Sequence, residues 1–253
     1  MLNPSTIGLL VVSSTFLGSL SGMAIRKKLP DHHLESDSKD TIKLAIGLIA
    51  TMTALILSFV TATAKNSFDT VDKTVKQTSI EVLALDRLLA RYGDDTRSIR
   101  NYMQETLHQR LSVLESESTY KLDPSKSQIR TGTERIADAI RELKPADKVQ
   151  ASLQSDASAM ADKLLQVRWM IFAGSKSSIP APFVDILIFW LTVIFTSYGL
   201  LSPSNKTVMV VHFLCAMSVG CAVFLLLEMD DPFSGLIRIS TQPLEYAYSH
   251  MNQ

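Results

Sequence analysis

Between Ile49 and Tyr92 the chain holds neither proline nor glycine, and over that stretch two helical patterns follow one another without a break. Residues 44–64 are almost wholly apolar or small and match the roughly 20 residues that a helix needs to cross a bilayer core. Beyond Lys65 the pattern changes to a seam at Val71, Val75, Thr78, Val82, Leu85, Leu89 and Tyr92, alternately four and three apart as in a heptad. Nothing obliges the backbone to stop where the apolar run ends. The expectation is one long helix, first a membrane span and then a water-facing helix with one apolar stripe, around which the rest of the chain must pack.

Three further blocks of similar length, residues 7–25, 183–201 and 208–227, complete a set of four candidate spans. The expected fold is an all-α membrane protein: four transmembrane helices with a helical extramembrane insert between helices 2 and 3. In chain order, residues 1–65 are a transmembrane hairpin and 66–180 the insert. Residues 181–227 form a second hairpin and 228–253 a C-terminal tail. The 25 Lys and Arg are balanced by 25 Asp and Glu, so the chain has no basic footprint for a phosphate backbone, which excludes nucleic acid as a partner. The first block is not a secretory signal, because Arg26, Lys27 and Lys28 follow the apolar run instead of preceding it. Cys215 and Cys221, six residues apart on one span, are about 9 Å apart along a helix axis, too far to bridge.

The insert carries no strand-period pattern. Tyr92-Gly93 reads as a helix stop, after which Asp94 and Asp95 cap a segment with Ile99, Met103, Leu107, Leu111 and Leu114 on one face. After a polar loop with Asp123-Pro124, Thr131 and Glu134 have capping-box spacing and open a short helix carrying Ile136, Ile140 and Leu143. Lys144-Pro145 ends it. A last helix, residues 146–172, turns Val149, Leu153, Met160, Leu164 and Val167 inward, and its final Trp169 and Phe172 suit a membrane interface.

Several residues are candidates for function. Ser14, Gly18 and Gly22 on the first span form a small-residue face that lets another helix approach closely. On the second span Gly47, Ala50, Ala54 and Ser58 share a face that suits helix packing. The alternative for this span is a constriction, with Leu48, Thr51, Leu55 and Ser58 as pore-lining candidates at helical spacing. Two polar residues fall inside spans. Asp185, close to the interface, reads as a charge at a helix N-terminus, and His212 reads as a hydrogen bond to a neighbouring helix. His32-His33 reads as part of a solvated turn and not as a metal pair.

The last span exits through Glu228, Asp230, Asp231, Pro232 and Phe233. Three carboxylates there can hold a hard cation, or they can simply organise the exit. In the second reading Asp231-Pro232 starts a helix and Phe233 folds back on the apolar end of the span. Six to eight oxygens are needed for calcium and only three acids are grouped, so the structural reading is favoured and no metal ligand is assigned. Residues 236–240 read as extended and 243–250 as a short terminal helix.

At these same residues the chain resembles a known family. The segment 228–235, with its Asp-Pro-Phe, is similar to the stretch that follows the last span of the bestrophin anion channels. Residues 43–69, Leu85-Asp86-Arg87, Tyr92-Gly93 and the run from Phe189-Trp190 to Asn205 resemble the bacterial bestrophin-like membrane proteins. The resemblance implies a homo-oligomer, a pentamer in bestrophins, whose second span lines an ion pore and whose helical domain lies between spans two and three. The chain departs from bestrophins in lacking both the acids after Pro-Phe and an aromatic-rich neck on the second span.

The reading is a multi-pass protein of the bacterial inner membrane, with the lipid bilayer, inorganic ions and further copies of itself as partners and with no cofactor. No nucleophile with its base and no phosphate loop is legible, so an ion channel is favoured over an enzyme. The rival is a non-conducting sensor or scaffold whose insert binds a partner. The basic triplet Arg26-Lys27-Lys28, hard against the first span, is expected on the cytoplasmic side, which leaves the insert and both termini periplasmic. Bestrophins place the insert in the cytoplasm.

Overall fold

The uninterrupted helical pattern is realised as a single helix of 57 residues, Ser36–Tyr92. The computed structural model describes the backbone of residues 3–30, 35–115, 128–173, 179–233 and 235–251, with side chains for all but 113–115, 128–131 and 168–173. Its helices are α1 (Pro4–Arg26), α2 (Ser36–Tyr92), α3 (Arg97–Glu115), α4 (Gln128–Arg141), α5 (Lys148–Ala173), α6 (Ala181–Leu201), α7 (Lys206–Met229) and α8 (Gln242–His250). No strand occurs among the described residues. Helices α1, α2, α6 and α7 are each long and apolar enough to cross a membrane, and the fold is that of an all-α membrane protein. His32-His33, Asp123-Pro124 and the side chains of Leu114, Thr131, Trp169 and Phe172 lie outside the described residues.

The chain forms two compact units, Met1–Ser67 with Ser177–Asp231, and Phe68–Lys176 with Pro232–Gln253. In the first, α1 packs closely against α6 and α7. Glycine makes that approach possible. A Cβ at Gly22 would run into the backbone carbonyl of Thr196 on α6, and one at Gly199 into the carbonyl of Ser19 on α1. The expected small-residue face is therefore real at Gly18 and Gly22, with Thr15 buried beside them while Ser14 is only half-buried. Helix α2 packs in this unit through Val60 and Ala64, with Ile179 and Leu226, and through Leu57. The face of Gly47, Ala54 and Ser58 is exposed in the single chain, and nothing lies within 4 Å of a Cβ built at Gly47.

In the second unit the heptad seam supplies one wall of the core. Val75, Leu85 and Leu89 are buried with Ile99, Met103, Leu107 and Leu111 of α3, Ile136 and Ile140 of α4, and Leu244 and Ala247 of α8. Gly93 stops α2 with a φ of 128°, a backbone conformation that glycine tolerates and other residues rarely adopt. Three expected caps are made differently. Asp94 and Asp95 lie inside a 3-10 turn, Asp94–Thr96, and the bonding hydroxyl is that of Thr96, which donates to the carbonyls of Leu89 (2.5 Å) and Gly93 (2.8 Å). Helix α4 begins at Gln128, so Thr131 sits within the helix and cannot cap its start. The C-terminal ends of α2 and α4 are closed by α5: the Gln150 amide donates to Tyr92 O, and the Gln154 amide to the carbonyls of Ile140 and Leu143.

Those glutamines also explain a second difference. Val149 is exposed, because the inward face of α5 starts one residue later and runs through Gln150, Gln154, Ala157, Ala161 and Leu164. Small alanines let α5 lie close to α4. Asp86 is fully buried in the same core and accepts two hydrogen bonds from Arg100, from Nε at 2.8 Å and Nη2 at 3.0 Å.

Candidate functional site

Within α2 the residues that could face a pore follow from helical spacing. Leu48, Thr51, Leu55 and Ser58 recur three and four apart, and in the single chain all four are exposed, Leu48 by 60% and Leu55 by 71%. The opposite side, Ile46, Thr53, Val60 and Ala64, is buried. Hydroxyls along the span are satisfied within the helix: Thr51 donates to Leu48 O (2.8 Å), Thr53 to Ile49 O, Thr61 to Leu57 O and Thr63 to Phe59 O. Such back-bonding lets threonine reside in an apolar medium without an orphaned donor. Ser58 makes no hydrogen bond among the described residues. It lines a shallow groove with Ala54, Leu57, Thr61, Ala62 and Lys65, so that groove passes from small residues to an ammonium group at the end of the apolar run.

The two intramembrane polar residues behave differently. His212, in the second turn of α7, meets Ser19 of α1, with Nδ1 2.5 Å from Oγ. This is the interhelical hydrogen bond expected of it, and the partner is reachable because the small residues Gly18 and Gly22 flank Ser19 on α1. Asp185 departs from expectation. The first turn of α6 holds no acid and its N-cap, Pro180, makes no side-chain bond, whereas Asp185 is the fifth residue of the helix and exposed. One turn in, the field of the helix terminus has largely decayed.

The acidic exit is also arranged otherwise than the spacing implies. Glu228 is buried in the last turn of α7, Asp230 is the residue that ends the helix, and the amide of Asp231 donates to Glu228 O (3.3 Å). Asp231-Pro232 opens no helix; the next one begins ten residues later, at Gln242. The chain turns instead, closed by the bond from Ile239 N to Pro232 O (3.0 Å) around Gly235, whose φ is 83°. Phe233, read as folding back on the span, packs on the core of the second unit. No group of three or more His, Cys, Asp or Glu among the described residues is placed to hold a metal.

Sequence reasoning missed the Asp86 and Arg100 pair and the two glutamine caps. The pair had a signal: Asp86 falls one residue after Leu85 of the seam, where a charge on the packing face demands a partner. The glutamines had none, since a glutamine on a polar stretch of helix is ordinary.

Compared with known proteins, residues 14–244 match the family described as Bestrophin-like domain. No curated protein and no solved structure matches the chain.

Proposed function

This chain belongs to the bestrophin-like family, and from that premise we propose that it assembles as a homo-oligomer that conducts ions through the membrane along α2. What carries the reading is the exposed side of α2 within its span. It mixes Leu48 and Leu55 with the hydroxyl residues Thr51, Ser58 and Thr61, whereas the exposed side of α6, beyond Asp185 near its start, carries Ile186, Phe189 and Tyr198. Hydrocarbon suits a lipid-facing surface, and a serine hydroxyl without a partner gains nothing from lipid. A face that alternates hydroxyls with leucines is the kind that lines a narrow path, wetted at the hydroxyls and constricted at the leucines. Copies of the chain around a common axis would turn that face away from lipid.

In this reading residues 66–180, with the tail 228–253, form the extramembrane part, and the lysines beside α1 face the cytoplasm of a bacterial inner membrane. A thiol introduced as Val149→Cys in a chain without Cys215 and Cys221 should then react with an impermeant reagent in intact spheroplasts. No chemical step is assigned to any residue. Conductance of the purified protein in a planar bilayer tests the proposal. Ser58→Trp should reduce the current while leaving the native mass unchanged, and absence of current in the wild type would favour a non-conducting sensor or scaffold.

A further inference from the structure

At the end of the first unit where α1 and α6 finish and α7 begins, the chain displays charge that the fold does not consume. Arg26 is used internally: its Nη1 donates to Leu201 O at 3.0 Å. That bond satisfies a terminal carbonyl of α6 and holds the end of α1 beside the turn of residues 202–205. Lys27 and Lys28 lie in the turn just past the end of α1, and Lys206 follows the turn of residues 202–205 as the first residue of α7. All three are exposed, and none of their ammonium groups has an ion-pair or hydrogen-bond partner among the described residues. Lys43, by contrast, is paired with Asp40 at 2.8 Å, and Asp37 occupies the first turn of α2, where a helix terminus favours an acid.

The same helix ends also expose large apolar side chains within about a turn of the lysines or of the helix end: Ile25 on α1, Tyr198 on α6 and Val210 on α7. A tyrosine one turn from a span's end is at the headgroup level of a bilayer, its ring against hydrocarbon and its hydroxyl toward water. The other end of the α6 and α7 hairpin is acidic, with Asp185, Glu228, Asp230 and Asp231. Along its axis the hairpin therefore offers an anion one attractive end and one repulsive end.

We propose that Lys27, Lys28 and Lys206 form a site for the headgroup of an anionic phospholipid whose acyl chains lie along Ile25, Tyr198 and Val210. The three lysines supply the charge complement, and the apolar wall beside them selects a lipid over a free phosphate, which would have nothing to place there. The site depends on the membrane fold and not on conductance, so it stands or falls separately from the channel reading.

The test is retention of fluorescent phosphatidylglycerol against phosphatidylcholine by the full chain purified in neutral detergent. Three lysines near an anionic headgroup should give the wild type a preference of about tenfold or more for phosphatidylglycerol. The variant Lys27→Gln/Lys28→Gln/Lys206→Gln should lose it, and the triple arginine variant should keep it. Should the triple glutamine variant fail to fold, Lys206→Gln alone is expected to weaken the preference about two- to threefold. Excess inorganic phosphate at matched ionic strength should leave the bound lipid in place. Equal retention of the two lipids by the wild type, an undiminished preference in the glutamine variants, or displacement by phosphate would each overturn the site.

Discussion

Replacing Asp86 by alanine should destabilise the second unit more than any surface change. The carboxylate is fully buried, and both of its oxygens accept from Arg100, whose side chain is 16% exposed. The hydrogen bond to Asp86 holds the Arg100 guanidinium above its ordinary pKa against the opposing effect of burial. Without that partner only burial remains, and a guanidinium is too strong a base for burial to neutralise it. Removing one member of such a pair leaves a buried charge uncompensated and costs about 3–5 kcal/mol. For a unit of about 130 residues the entropy of unfolding is about 0.27 kcal/mol/K, so the midpoint should fall by about 11–18 °C. Circular dichroism melts in detergent at low and high salt are the assay. High salt should not reproduce the loss in the wild type, because a buried pair is poorly screened. Asp86→Leu/Arg100→Met, which removes both charges, should recover most of the stability. A single Asp86→Ala variant melting within about 4 °C of the wild type would refute the reasoning, since that bounds the pair at about 1 kcal/mol.

Three more outcomes follow from the same geometry. Gly22→Leu should disrupt the contact of α1 with α6 and abolish recovery of monodisperse protein, whereas Ser13→Leu, on the exposed side of α1, should be tolerated; size-exclusion chromatography separates the two. Phe233→Ala should cost about 2 kcal/mol of thermal stability by removing a half-buried ring from the second core, with or without calcium, and saturable micromolar calcium binding that vanishes in Asp230→Asn/Asp231→Asn would sink the structural view of the exit. Burial, with Asp95 and Asp147 nearby, raises the pKa of the Tyr92 phenol. The native state thus holds this proton more tightly than the unfolded chain, so its contribution is intact below pH of about 10, the unfolded value, and is lost as pH rises from there through the higher native value; Tyr92→Phe should flatten this part of the pH dependence of the melt.

The legible part of this protein was the part written in local pattern. A run of 21 residues that are apolar or small and a seam spaced four and three are both properties of one helix, so α2 could be read through residues 44–92 from its sequence alone, as could the stop at Gly93. His212 was readable as an interhelical bond because an imidazole inside a span has few other uses, yet its partner Ser19 lies 193 residues away, a separation that no periodicity encodes. Likewise Val149 was misplaced because apolar character was weighed above packing, and α5 turns a face of glutamine and alanine inward.

What the amino-acid sequence alone determined, then, is the class of fold: four apolar helices that must satisfy their backbone internally in lipid, and amphipathic helices between the second and third that must bury a stripe. Those requirements act within a segment, over three to four residues at a time. Only the tertiary structure decided which helices touch. It set Gly22 against Thr196 and Asp86 against Arg100, and it brought Gln150 to the end of α2. It also left the side of α2 with Thr51 and Ser58 uncovered in the single chain. The contacts of Gly22 with Thr196 and of Gln150 with Tyr92 join distant parts of the chain, and that of Asp86 with Arg100 joins two helices across a turn. Such proximity is a property of packing, which the pattern within one helix does not contain.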